Sequence, residues 1–330
     1  MRYSGKYPRR FEEKYKEHGH CGETVAKVLA AGKTPAGTHR PIMVAEILAA
    51  LDPQPGDLAV DGTLGYGGHA QALLPRLLPH GRLLGLDTDP IELPKTESRL
   101  RALGFGMETL TVVRSNFAGL PQALWEAGIE RADLILADLG VSSMQLDDPA
   151  RGFTVKHAGP LDMRMNPQRR QPASVLLQRL GPAALRQMLE ENADEPRATA
   201  LAPALAGQLF STTTELANAI RRILPGVPKE DCDDSIRRVF QALRIAVNEE
   251  FSALEMFLRH LPACLKPGGR VAVLTFHSGE DRRVKKAFEA AARDGIFGEI
   301  VGPQRASPEE RRANPRSASA KLRWARRAAL

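Results

Sequence analysis

Three aspartates close three short apolar runs: Asp61 after "LAV", Asp87 after "LLGL" and Asp138 after "LILA". Between the first two lies "DGTLGYGGHA" (61–70), in which Gly65, Gly67 and Ala70 satisfy the loose pattern G-x-G-x-x-G/A. Asp87 stands 22 residues beyond Gly65, where a carboxylate at a strand end accepts both hydroxyl hydrogens of a ribose. Together they point to an adenosine-containing cofactor. NAD and S-adenosylmethionine both satisfy this pair. A pyrophosphate needs backbone N–H groups at a helix N-terminus, whereas a sulfonium favours acidic neighbours, so three carboxylates tilt the choice toward S-adenosylmethionine. His69 offers the cofactor an imidazole nitrogen, or simply faces water at the start of a helix.

Such residues act together only if an ordered sheet brings their ends to one edge. "DLAVDGT" (57–63), "RLLGLDTD" (82–89), "TLTVVRSN" (109–116) and "ADLILADLG" (132–140) have strand character, and helix-type segments separate them. This alternation predicts an α/β fold with a doubly wound parallel sheet, which binds ligands at the carboxyl ends of its strands. From about 149 to 235 the alternation stops, and the Ala- and Leu-rich sequence reads as an inserted set of helices. One long helix, about 236–264, then leads back to a strand in "GGRVAVLTFHS" (268–278).

The net charge of +7 is uneven. Residues 1–40 carry nine Lys/Arg against four Asp/Glu, and residues 301–330 carry eight against two. Basic ends of this kind suit phosphate backbones. Three scattered cysteines, Cys21, Cys232 and Cys264, make neither a disulfide framework nor a zinc site, and a reducing cytoplasm fits them. No apolar run reaches the ~18 residues of a membrane span, and no residue spacing calls for a metal.

"DLGVSSMQLDD" (138–148), "RGFTVKHAGPLDMRM" (151–165), "FQALRIAVNEE" (240–250), "PGGRVAVLTFHSGEDRRVKK" (267–286) and "NPRSASAKLR" (314–323) identify a likeness. Over roughly 39–327 the chain resembles the bacterial 16S ribosomal RNA cytosine-N4 methyltransferase family, known as RsmH or MraW. The resemblance implies a Rossmann-like class I S-adenosylmethionine-dependent methyltransferase with an inserted all-helical domain. It implies cofactor contacts at Gly67, Gly68, His69, Asp87, Phe117, Asp138 and Gln145. Its implied partner is 16S ribosomal RNA or the small ribosomal subunit, and a homodimer stays open. The expected organisation is a basic arm (1–38), a cofactor domain (39–148 and 236–300), a helical substrate-recognition domain (149–235) and a basic tail (301–330). Departures from the family pattern stand at Tyr66, Ala70, Ala158 and Gly279.

A cytosine amine is a poor nucleophile because its lone pair is delocalised into the ring. Acceptors for its hydrogens would localise that pair and aim it at a methyl donor, which assigns Asp138 and a nearby backbone carbonyl to catalysis. Asp162 and Arg164 are candidates for positioning the base or its phosphate, against the plainer reading of a surface ion pair. On the helix after the insertion, Arg244 and Asn248 share a polar face and are expected to shape the site's wall. Ser278 with Asp281 reads as a capping box for the basic helix that follows, and His277 stays open. Two other readings remain at this level. One is an amino-methyltransferase acting on another RNA or on a DNA cytosine, and the other is a non-catalytic RNA-binding ribosome assembly factor.

Overall fold

The computed structural model describes residues 41–329, so the basic arm and Cys21 lie outside the described residues. The first half of the described chain alternates as expected. Helix α1 (Val44–Leu51) precedes strand β1 (Leu58–Asp61), and α2 (Gly68–Leu77), β2 (Arg82–Asp87), α3 (Leu93–Ala102) and β3 (Leu110–Arg114) follow. Helix α4 (Leu120–Glu126) then leads to β4 (Ala132–Asp138). These strands run parallel, with β1 between β2 and β4.

Buried on both faces, such strands are nearly all apolar, and alternate side chains serve opposite layers. Val60, Leu84, Leu86, Ile135 and Ala137 join one cluster, while Ala59, Leu83, Leu134 and Leu136 join another. Full burial of each large aliphatic side chain contributes about 1.5–3 kcal/mol. Helices α1, α2 and α3 cover the second face through Ile47, Leu73, Leu74, Leu93 and Leu100.

After β4 come a short helix α5 (Ser143–Asp147) and the helices α6 (Ala173–Arg179), α7 (Pro182–Ala193), α8 (Ala198–Leu205), α9 (Thr213–Ile223) and α10 (Lys229–Asn248). They enclose a core of their own, including Leu177, Leu189, Leu201, Leu216 and Val239. Ile236, Phe240, Leu243 and Val247 of α10 belong to that core. The boundary expected at 235/236 therefore falls inside a helix that packs with the insertion. Nor does one helix span 236–264. Glu249 adopts a left-handed conformation (φ 51°, ψ 41°) and separates α10 from α11 (Glu250–Cys264), which packs on the sheet through Leu254, Phe257 and Leu261.

Strand β5 (Leu265–Thr275) and helix α12 (Ser278–Arg293) follow, then β6 (Phe297–Arg305), α13 (Pro308–Ala313) and β7 (Lys321–Arg327). The strand order is β3-β2-β1-β4-β5-β7-β6, with β7 antiparallel to both neighbours. This is the largely parallel α/β sheet that the alternation predicts, closed by an antiparallel pair. It corrects the expectation of a basic tail over 301–330. Leu322 and Ala325 of β7 are buried in the sheet, and Lys321 and Arg323 pair with Asp281. Its charges make the segment read as a tail, but Lys321 and Arg323 meet Asp281 on α12, and Arg326 and Arg327 donate to the Gly268 and Leu265 carbonyls of β5. Among the described residues, no helix is long and apolar enough to cross a membrane.

Candidate active site

Strand order reverses between β1 and β4, so the connections leaving these strands diverge and open a crevice. A cavity of about 430 Å³ lies there, within the range of small-molecule sites. Its lining comes from the ends of β1 to β5, from the α10–α11 junction, and from Pro315, Arg316 and Ser319.

Gly65, Tyr66, Gly68 and His69 line the cavity, but Gly67 does not. Gly67 is the left-handed residue before α2 (φ 81°), and a Cβ there would sit 3.0 Å from Thr96 Cγ2. Its contribution is the turn and the close packing of α3. Asp87 ties this loop to the end of β2: its Oδ2 accepts from Gly65 N (2.8 Å) and its Oδ1 from Asp89 N (2.8 Å). Burial raises the Asp87 pKa against those N–H bonds. Tyr66 lies under the Arg99 guanidinium, 3.7 Å from the ring centroid, and Arg99 also donates to the Tyr66 carbonyl. This stack accounts for the departure at Tyr66. Ala70 is fully buried against the sheet, so that departure is one of core packing.

Asp138 lines the cavity at the end of β4. Its N–H donates to Thr63 Oγ1 (2.6 Å), its Oδ2 lies 3.3 Å from His69 Nε2, and its Oδ1 is buried without a hydrogen-bond partner among the described residues. Burial by itself would lower the His69 pKa. The bond to Asp138, with the charges of Asp138, Asp61 and Glu310, outweighs burial and raises it.

Asp61 is 1% exposed and does not line the cavity, although its strand-end position suggested a direct part in the site. Burial pushes its pKa up to about 6 from 3.8. The native carboxyl therefore keeps its proton over a range where the unfolded chain has lost it, and stability falls as pH rises between about 4 and 6. Asp61→Asn, which keeps an acceptor for Thr63 N, is expected to remove this loss. In thermal melts it should match wild type near pH 4 and melt a few degrees higher at pH 7, a gain on the order of 2–3 kcal/mol. No gain at pH 7 would contradict the assignment.

Phe117 lines the cavity after β3 and meets Phe257 edge to face at 5.5 Å. Gln145 also lines it, as the third residue of a capping box. Its Oε1 accepts from Ser142 N (3.0 Å) and its Nε2 donates to Asp89 Oδ2 (2.8 Å), where Arg151 also pairs (2.9 Å). One amide hydrogen is left for a ligand.

Asp162 and Arg164 do not line the cavity. They form a bidentate pair, Nε–Oδ1 and Nη2–Oδ2 both 2.7 Å, and Arg164 also donates to the Arg170 carbonyl. They brace the loop that carries Met165 to the cavity wall, so the plainer reading of an ion pair describes their geometry and neither side chain stands at the cavity itself. Asp162 and Arg164 suggested chemistry by type, but two opposite charges two residues apart satisfy each other first. Arg244 and Asn248 do line the cavity, and Asn248 grips that same loop through Met163 O and Met165 N, both 2.8 Å.

The expected Ser278 cap is also corrected. His277 caps α12, its Nδ1 accepting from Glu280 N, while Ser278 Oγ donates to Asp194 Oδ2 (2.9 Å). A Cβ on Gly279 would lie 2.6 Å from Phe251 Cζ, so the departure there makes room for a ring on which Arg283 stacks. Glu250 and Glu280, which spacing alone did not single out, line the cavity. Cys232 and Cys264 do not, and burial pushes the Cys264 thiol up to about 11, so neither supplies a nucleophile.

The residues present fit S-adenosylmethionine. A glycine loop, a carboxylate at the end of β2, an aromatic wall and a buried carboxylate oxygen with no hydrogen-bond partner among the described residues surround one cavity. The family model of the MraW methylase family matches residues 36–328. Ribosomal RNA small subunit methyltransferase H 2 of Alkaliphilus metalliredigens is 48% identical over 338 residues, which cover 98% of this chain and 96% of that one. Ribosomal RNA small subunit methyltransferase H 1 of Lachnoclostridium phytofermentans is 46% identical over 336 residues, covering 98% and 91%. The protein of the same name in Agathobacter rectalis is 46% identical over 343 residues, covering 99% and 97%. The chain belongs to the MraW methylase family and is an S-adenosylmethionine-dependent methyltransferase.

Proposed function

We propose that this enzyme methylates the exocyclic N4 amine of a cytidine in the decoding centre of 16S ribosomal RNA, acting in the cytoplasm on the RNA or the small subunit. S-adenosylmethionine, when bound, supplies an electrophilic methyl group carried by a sulfonium. Asp87 holds its ribose, Gly65, Gly68 and His69 shape its methionine side, and Phe117 with Gln145 bounds its adenine side. The observation that carries the reading is Asp138, whose Oδ1 is buried, unpartnered and in the cavity wall. An acceptor so placed takes a hydrogen bond from the amine and draws its lone pair toward the methyl group.

A base inside a duplex or a stacked loop must swing out to enter a cavity of this kind. The inserted helices stand beside that cavity, joined to it by Arg244, Asn248 and the Met165 loop, and they hold the RNA around the extruded base. Nucleoside mass spectrometry of small-subunit RNA from a deletion strain tests the reading. Loss of N4-methylcytidine at one decoding-centre position is expected, and an unchanged nucleoside profile would reject it.

A further inference from the structure

Methyl transfer to an amine needs more than the one acceptor Asp138 offers, since the nitrogen carries two hydrogens and one must leave as a proton. The neighbouring strand supplies a second carboxylate. Asp138 pairs in register with Leu274 of β5, and Leu139 N donates to the Leu274 carbonyl at 2.9 Å. Two residues beyond, Phe276 N donates to Glu280 Oε2 (2.8 Å), which holds Glu280 at the end of β5 and in the wall of the same cavity. Glu280 is 3% exposed.

The surroundings of Glu280 keep it ionised. His277 Nδ1 accepts from Glu280 N, which leaves the imidazole hydrogen on Nε2, and Nε2 stands 3.1 Å from Glu280 Oε1. Burial opposes the charge, but His277 and Arg244 outweigh it and hold the pKa below the ordinary value. Glu250, His277 and Glu280 place ligand atoms within 4.8 Å of one another, the spacing of a metal site. Arg244, however, already holds both Glu250 oxygens at 2.8 Å, which balances that charge without a cation. What the fold leaves facing the cavity is a fixed anion.

Resting on the cytidine reading above, we propose that Glu280 is the second acceptor for the cytosine amine, the residue that selects cytosine over uracil, and the group that receives the proton. A carboxylate accepts from the N4 amine and repels the O4 carbonyl that uracil has in its place. In the step itself the amine lone pair forms the new N–CH₃ bond while the methyl–sulfur bond breaks, its electrons staying on sulfur. The amine then gives one proton to the Glu280 carboxylate. A protonated exocyclic amine is a far stronger acid than any carboxylic acid, so the low pKa of Glu280 does not prevent this transfer. The proton leaves to solvent when the product departs.

Glu280→Gln keeps an acceptor for Phe276 N and removes the negative charge. The test combines single-turnover methyl transfer to small-subunit RNA, calorimetric affinity for S-adenosylmethionine, thermal melting, and the binding of cytidine 5′-monophosphate against uridine 5′-monophosphate. The expected result is a rate about 10²–10³-fold lower, with donor affinity within about twofold of wild type and the preference for the cytidine nucleotide lost. Should Glu280→Gln not fold, His277→Asn, which retains a helix cap, is expected to weaken the same preference. A Glu280→Gln protein within about threefold of the wild-type rate, or any folded variant of the pair that still discriminates the two nucleotides fully, overturns the assignment. If wild type transfers no methyl to RNA cytidine, the functional reading fails instead, and the nucleotide preference still decides the role of Glu280.

Discussion

Asp138→Ala is expected to lower the single-turnover rate of methyl transfer about 10²–10³-fold, the usual effect of removing a preorganised polar group from a reacting centre. The side chain acts in two directions. Its Oδ2 meets His69 Nε2 at 3.3 Å, and its Oδ1 has no partner among the described residues. Alanine removes the free acceptor and strands a buried imidazole, a loss of about 1–3 kcal/mol in stability. The backbone bond from Asp138 N to Thr63 Oγ1 survives, so the end of β4 keeps its place. The variant should therefore fold, melt a few degrees lower and bind RNA as before. Transfer of labelled methyl, beside circular dichroism and melting, checks this. Asp138→Ala turning over within about threefold of wild type would remove Asp138 from the chemistry. A weaker donor affinity with an unchanged rate at saturation would place it at the sulfonium alone.

Asp87→Ala carries the second large effect, and it falls on binding. The carboxylate is the tie between the glycine loop and the end of β2, accepting from Gly65 and Asp89 N–H groups at 2.8 Å each. Each oxygen keeps a lone pair for a ribose hydroxyl. Hydrogen bonds to a charged group are worth about 1.5–3 kcal/mol each, so losing the sugar contacts should weaken S-adenosylmethionine by about 10²–10³-fold. Asp87→Asn retains an acceptor for the loop and should recover part of that loss. Calorimetry with each variant separates the two contributions, and an alanine variant that binds the donor as tightly as wild type would refute the ribose assignment. At saturating donor the transfer rate should fall far less than in Asp138→Ala, because the proposed role of Asp87 is at the ribose and not at the reacting atoms.

How much of this was legible in the chain differs from residue to residue. The glycine loop and Asp87 were, because both lie on one β-α-β unit and their spacing is set by the length of a strand, a helix and a strand. Asp138 was also visible, as the polar residue ending an apolar run. Asp61 satisfied the same rule and yet sits behind the wall, since the rule locates a strand end and not the direction of its side chain. The resemblance named Gln145 and Phe117 as contacts. Both line the cavity, but only the fold shows that Ser142 and Asp89 already hold the Gln145 amide and leave it a single hydrogen for a ligand.

The helical insertion shows the same division. Its composition marks it as helices, but the expected boundary cuts α10 at 235/236 while Ile236, Phe240, Leu243 and Val247 pack with the insertion, because apolar spacing does not say which core a helix faces. The break at Glu249 left no mark in the sequence, as glutamate is a good helix former and its left-handed conformation has no local signal. Strand β7 was hidden by its own charges, two of which, Lys321 and Arg323, find their partner Asp281 about 40 residues away. By itself the sequence determined the parallel sheet, the cofactor loop and the carboxylates at the strand ends, since these follow from local periodicity and short spacing. The tertiary structure alone decided the wall opposite the loop. Arg244 was expected there, but Glu250 and Glu280 join it from the start of α11 and the first turn of α12, and no local spacing brings two carboxylates 30 residues apart into one wall.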